Sequence, residues 1–321
     1  MQRKALIIGA CGQIGIELTM ALRQKLGAES VVASDVKETC PPAIADGPYV
    51  QLSVLDFDAL RQVLIKYQVT EVYNMAALLS ATSEKNPAFA WELNMNGLLH
   101  TLNLAKEGLI QRLFWPSSIA VFGPTTPRQN TPQDTIMDPN SVYGISKLAG
   151  ERWCEYYAQK HQVDVRSLRY PGLIGYRSAP GGGTTDYAVD IFYKAIETGH
   201  YECFLGPDTM LPMMMMEDAI RATIDITEAP AEQIKIRSSY NLAGCSFTPA
   251  ELAEHIRLYI PAFEMTYAPD FRQSLADSWP DSIDDQRARQ DWGWSHAFDT
   301  AALTKKMIEE IGIKINATNA K

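Results

Sequence analysis

The sequence predicts a doubly wound α/β fold with a parallel sheet and a smaller domain after it. Three observations carry that prediction. Short apolar runs alternate with longer amphipathic stretches through the first half, as expected of parallel strands joined by crossover helices. A glycine-rich turn follows the first of those runs. After Tyr170 the grammar changes, with Gly, Pro and Thr collecting in PGLIGYRSAPGGGTTD. We therefore divide the chain into a first domain over 1–170 and a second over 171–321, a soft boundary because later segments read as returning to the first sheet.

Taken in order, the expected strands are KALIIGA (4–10), SVVASDV (30–36), EVYNMAA (71–77), RLFWPSS (112–118) and VRSLRYP (165–171). Between them IGIELTMALRQKL, DALRQVLIKY, PAFAWELNMNGLLHTLNLAKEG and VYGISKLAGERWCEYYAQKH carry apolar residues at three and four spacing, which puts one face of a helix on the sheet. Beyond Tyr170, DAIRATIDIT followed by SSYNLAG again reads helix then strand. The tract MMMM (213–216) reads as core packing rather than a metal site.

At 321 residues and 46% hydrophobic, the chain can bury a large core. Its net charge of -9 works against nucleic-acid binding, which needs clustered Lys and Arg. No apolar run approaches the length of a membrane span. Five scattered cysteines form no close pairs, and the five histidines show no ligand spacing, so neither a disulfide framework nor a metal site is expected. Strand-like sequence begins within a few residues of Met1, which leaves no room for a leader, and a cytoplasmic protein is expected.

IIGACGQIG places Gly9, Gly12 and Gly15 between an apolar strand and an amphipathic helix. Bare backbone there lets a pyrophosphate approach the helix amino terminus, the arrangement of a Rossmann dinucleotide site. Asp35 ends the second expected strand at the distance where a carboxylate accepts from the adenosine ribose, and its charge favours NAD over NADP. Asp56 reads either as an adenine contact or as the N-cap of the helix after it.

SVYGISK puts Tyr143 and Lys147 four residues apart on one helix face. A neighbouring ammonium would lower the phenol pKa and make Tyr143 a general base. The pair alone is weak, since it also occurs on helix surfaces. FWPSSIAVFG strengthens it by ending a strand at the carboxyl edge of the sheet, where Ser117 and Ser118 either meet a substrate oxygen or cap the turn.

The glycine turn, Asp35, NMAA, Ser118 and the Tyr-x-x-x-Lys motif, in this order, resemble the extended short-chain dehydrogenase/reductases over nearly the whole chain. The resemblance implies that Tyr143 is the base, that Lys147 also binds the nicotinamide ribose and that Ser118 orients the substrate oxygen. It implies further that Gln13, Ile14, Leu55, Ala76, Asn94 and Tyr170 surround the cofactor, although Asn94 also reads as a plain helix-surface residue.

Departures narrow the reaction. Dehydratases of that family carry Thr-Asp-Glu where Ser117, Ser118 and Ile119 stand, and nucleotide-sugar epimerases carry an Asn where Gly172 stands. GGGTTDYAVDIFY, YECFLGPDTMLPMMMMEDAIRATI, SYNLAG and SWPDSIDDQRARQDWGW resemble the branch that oxidises L-threonine. That branch implies substrate contacts from Thr184, Thr185 and Ser80, with Trp279 covering the amino acid. The two threonines also read as helix caps, and Trp279 as core packing. The resemblance further implies a homodimer through the helices bearing Tyr143 and AFAWELNMNGLL. Two other readings stay open at this point, a nucleotide-sugar epimerase and a non-catalytic NAD-sensing module.

Overall fold

The computed structural model describes residues 3–178, 181 and 183–319; Gly182 of the GGGTTDY motif, with Ala179 and Pro180 before it, lies outside them. Seven parallel strands form the central sheet: β1 (Ala5–Ile8), β2 (Val31–Asp35), β3 (Tyr49–Gln51), β4 (Glu71–Asn74), β5 (Arg112–Ser118), β6 (Val165–Tyr170) and, late in the chain, Tyr240–Asn241. Their order is Tyr240–Asn241, β6, β5, β4, β1, β2, β3. The order reverses between β1 and β4, which opens a crevice at the carboxyl ends of the strands, where ligands of such sheets bind.

β1 shows why these strands read as unbroken apolar runs. Ala5 and Ile7 face one buried cluster, while Leu6 and Ile8 face the other. The first cluster takes Leu18 and Leu22 from the helix Gln13–Leu26, and the second takes Leu60 and Leu64 from the helix Phe57–Tyr67. Both faces are covered, so period-two alternation of polar residues is absent.

Two expected strands are markedly shorter than their apolar runs. β1 ends at Ile8 because Gly9 turns to φ +80°, and the run 71–77 leaves the sheet after Asn74. The edge strand β3, three residues long and half-exposed, carries no apolar run and was not expected.

Past Tyr170, β7 (Gly172–Ile174), β9 (Leu211–Met215) and β11 (Cys245–Phe247) form a second sheet, and β8 (His200–Cys203) pairs with β12 (Glu264–Tyr267); β10 is Tyr240–Asn241 of the main sheet. The helices Tyr187–Glu197, Pro249–Arg257 and Thr300–Asn319 enclose a third cluster that includes Trp279. The helix Met216–Glu228 instead buries Met216, Ala219 and Ile226 in the first cluster. Met213 and Met214 thus lie in different clusters, and the methionine tract bridges two cores. Among the described residues no helix is long and apolar enough to cross a membrane, no His, Cys, Asp and Glu group fits a metal ion, and all five cysteines are free.

Candidate active site

The glycine turn is built by close contact. A side chain at Gly15 would put its Cβ 2.2 Å from the Gly9 carbonyl, and one at Gly9 would meet the Ala76 backbone nitrogen at 2.9 Å. Gly12 differs: its nearest neighbour is that same carbonyl at 3.3 Å, and the rest of its surroundings are open. Two glycines let the strand and helix meet, and the third leaves room for a group from outside. No side chain caps the helix Gln13–Leu26 and no acid lies in its first turn, so the positive end of its dipole is available to an anion.

Asp35 closes the cradle. Its carboxylate accepts from the Cys11 amide at 3.0 Å and the Lys37 amide at 3.2 Å, at the end of β2. Beside it a cleft of about 200 Å³ runs over Gly12, Val36, Leu52, Val54, Ala76 and Leu93. This is an apolar slot with a carboxylate at its rim, which fits an adenosine. Asp56 does not join it. Its exposed carboxylate caps the helix Phe57–Tyr67 by accepting from the Ala59 amide at 2.9 Å. Leu55 is likewise off the cleft wall, which uses Leu52 and Val54 of the same segment.

The residues expected to react lie on β5 and the helix Val142–His161. Ser141 caps that helix through the Gly144 amide at 3.1 Å. Gly144 lies so close to the turn after β5 that a Cβ there would be 2.1 Å from the Ala120 carbonyl. This approach brings Tyr143 into hydrogen-bond reach of Ser118, whose Oγ also accepts from the Ala120 amide at 3.2 Å. Ser118 therefore both caps its turn and meets the tyrosine. Ser117 points away and donates to Glu151 at 2.6 Å.

The electrostatics differ from expectation. Burial pushes the Tyr143 phenol up to about 12, with the Ser118 hydrogen bond opposing. Burial brings Lys147 down to about 7, with Cys154 and Glu151 opposing. Its Nζ donates to the Pro116 carbonyl at 2.6 Å and lies 5.5 Å from the centre of the Tyr143 ring. The expected depression of the phenol by Lys147 is absent: removal from water dominates, and the amine is turned toward the Pro116 carbonyl.

A cavity of about 140 Å³ joins these groups to the second domain, bounded by Ser118, Tyr143, Lys147, Ser80, Thr185 and Trp279. Ser80 and Thr184, 104 residues apart, are buried and lie 3.2 Å from each other. Neither threonine caps the helix Tyr187–Glu197, whose N-cap is Asp186. Trp279 is in the third cluster and on the cavity wall at once. Gln13 and Ile14 bring the first turn of the glycine helix to the same cavity.

Two expected cofactor residues stand elsewhere. Tyr170 contributes to the wall, but its hydroxyl bonds Thr223 on the helix behind the sheet. Asn94, buried in the π-turn Glu92–Asn96, is off the wall: it accepts from the Leu78 amide at 3.0 Å and donates to Ser146 at 3.1 Å. It ties the loop after β4 to the helix that carries Tyr143 and Lys147. Leu79, Ile119 and Leu173 line the cavity without having been singled out, since isolated apolar residues resemble ordinary packing.

The NAD dependent epimerase/dehydratase family model matches residues 5–243. An epimerase/dehydratase of Staphylococcus saprophyticus is 47% identical over 96% of this chain and 97% of its own. The mitochondrial L-threonine 3-dehydrogenase of Bos taurus is 43% identical over 99% of this chain and 85% of its own. Among solved structures, the holo GalE-like L-threonine dehydrogenase of Cupriavidus necator superposes with a TM-score of 0.94 at 52% identity, covering 96% of this chain and 99% of that one. A monomeric L-threonine 3-dehydrogenase from a metagenome gives 0.92 at 44% identity, covering 96% and 99%. With the glycine cradle, Asp35 and the Tyr143–Lys147 pair in place, the chain belongs to the NAD dependent epimerase/dehydratase family, the extended short-chain dehydrogenase/reductases, and its cofactor is NAD.

Proposed function

We propose that this protein oxidises the β-hydroxyl of L-threonine, giving L-2-amino-3-oxobutanoate and NADH. The observation that carries the reading is the size and make-up of the cavity around Tyr143. At about 140 Å³ it is small beside the roughly 300–1,000 Å³ of sites for larger ligands. Where an epimerase carries Asn, a Cβ on Gly172 would meet the Met213 sulfur at 2.3 Å and the Thr185 methyl at 2.8 Å. Space for a nucleotide-sugar anchor is filled, and the hydroxyls of Ser80, Thr184 and Thr185 suit the polar groups of a small amino acid.

Bound with its pyrophosphate at the glycine turn, NAD supplies the acceptor for the hydride that leaves the β-carbon. The other residues handle the proton. Ser118 holds the substrate oxygen, Tyr143 takes its hydrogen, and Lys147 stabilises the phenolate once it turns from Pro116. Trp279 and the threonine segment exclude water, and most of the rate comes from orientation.

The helices bearing Tyr143 and AFAWELNMNGLL expose Trp91, Ile145, Trp153 and Tyr156, which supports a homodimer through that face. Free cysteines and an acidic surface support action in a reducing, cytoplasmic setting.

NADH absorbance on mixing the protein with NAD and L-threonine tests the reading, beside D-threonine, L-serine and UDP-galactose. NADH with L-threonine, lost in Tyr143→Phe with NAD binding retained, is the expected result. Interconversion of UDP-galactose without net reduction would replace the reading with an epimerase; NAD binding without any turnover would leave a sensing module.

A further inference from the structure

Three consecutive residues at the end of β5 are each held by the same helix face. Ser118 is hydrogen-bonded to Tyr143, the Pro116 carbonyl accepts from Lys147, and Ser117 donates to Glu151. Tyr143, Lys147 and Glu151 follow one another at four-residue spacing, one helical turn apart each time. Glu151 is fully buried, and its remaining bonds go to Arg169 on β6, at 2.9 Å from Nε and 2.8 Å from the terminal nitrogen. Arg169 is itself fixed by the Gln133 carbonyl and the Asn241 side chain, each at 3.0 Å. A carboxylate held on both sides cannot turn to follow a neighbour.

We propose that Glu151 is a positioning residue of the catalytic site, whose fixed negative charge one turn below Lys147 raises the proton affinity of that buried amine against burial and keeps it aimed at the β5 end. The proposal rests on the catalytic reading of Tyr143 and Lys147 given above. Around the amine the Trp115 ring centre lies 4.4 Å away and the Pro116 carbonyl accepts its hydrogen bond, both from β5. On its own helix stand the neutral Tyr143 and the Cys154 thiol, which burial keeps protonated. Arg169 of β6 is paired with Glu151. Cys154 and Glu151 oppose burial at Lys147, and of the two only Glu151, paired with Arg169, carries a charge. Its repulsion of a Tyr143 phenolate acts across two turns rather than one and is the weaker effect.

The test is the ionisation of Lys147 in Glu151→Gln, followed by the carbon shift of labelled lysine in cofactor-free protein and assigned by the signal that Lys147→Met removes. The midpoint is expected to fall by about one pH unit, roughly a tenfold loss of proton affinity. In the NAD-loaded enzyme the alkaline limb of kcat for L-threonine is expected to move down likewise, while Glu151→Asp keeps the wild-type limb. Should Glu151→Gln fail to fold with Arg169 unpaired, Glu151→Gln/Arg169→Met is read against Arg169→Met alone, so that only the carboxylate differs between the two. An unmoved midpoint or an unmoved limb in a folded variant overturns the proposal. Wild-type protein inactive on L-threonine would sink the functional reading instead, and the lysine titration would still decide the role of Glu151.

Discussion

Replacing Lys147 with Met should make the cofactor-free protein more stable while abolishing its activity. Burial takes the amine from 10.5 to about 7, a depression of about 3.5 pH units. At 1.36 kcal/mol per unit this is about 5 kcal/mol of cost for holding the cation in the fold. Met removes the charge and fills the same space beside Trp115, but it forfeits the bond to the Pro116 carbonyl, about 1–2 kcal/mol for a charged donor. The expected gain at pH 7 is therefore about 3 kcal/mol. Its pH dependence carries the sign. Between about 7 and 10.5 the folded protein holds Lys147 neutral while the unfolded chain keeps it charged, so the unfolded state binds more protons and the wild type gains stability as pH rises. The advantage of Lys147→Met is thus full below pH 7 and shrinks by about 1.4 kcal/mol per unit above it. Urea unfolding of both proteins at pH 7 and pH 9 measures this. A variant no more stable than wild type at pH 7, or an advantage that grows toward pH 9, would show that Lys147 does not bear the cost assigned to it.

Gly15→Ala drives a Cβ into the Gly9 carbonyl and should lose NAD binding together with roughly 2–3 kcal/mol of stability, seen as a lowered melting temperature and no cofactor-induced rise. Asp35→Ala removes the carboxylate that accepts from the Cys11 amide, and should narrow the preference for NAD over NADP in competition titrations. With Tyr143 raised to about 12 and Lys147 lowered to about 7, kcat/KM for L-threonine should climb from pH 5 to pH 7 and stop climbing once Lys147 loses its proton; a profile flat from pH 5 to pH 7 would assign proton removal to another group. NAD at millimolar concentration should stabilise the protein in the same unfolding assay, by about 2.7 kcal/mol where it reaches a hundred times its dissociation constant, and no effect would mean that the folded chain does not bind it.

The strands of the sheet were legible because burial on both faces leaves an unbroken apolar run, as Ala5–Ile8 shows. Their ends were not, because a run continues past the last ladder bond: Met75, Ala76 and Ala77 after β4 are apolar since they wall the clefts beneath the cofactor and substrate sites. β3 escaped notice for the opposite reason, as an edge strand half open to solvent has no need of an apolar pattern. The return of the helix Met216–Glu228 and of Tyr240–Asn241 to the first core was readable as helix then strand; where they attach is set by contacts distant in sequence.

Motifs fixed at short spacing were legible in the site for the same local reason. Gly9, Gly12 and Gly15 share one turn, and Tyr143 and Lys147 share one helix face. Ser80 and Thr184 meet across 104 residues, and only a family resemblance placed them together. Glu151 shows the limit most clearly. Its spacing from Lys147 is the same four residues that made Tyr143 conspicuous, yet an acid at that position of a helix reads as a surface partner for a neighbouring lysine. What converts it into a buried anion is Arg169, which the strand VRSLRYP carries inside the sheet. An arginine between Leu168 and Tyr170 is the one local sign that a counter-charge waits in the interior, and the helix packed on β6 was the place to look for it.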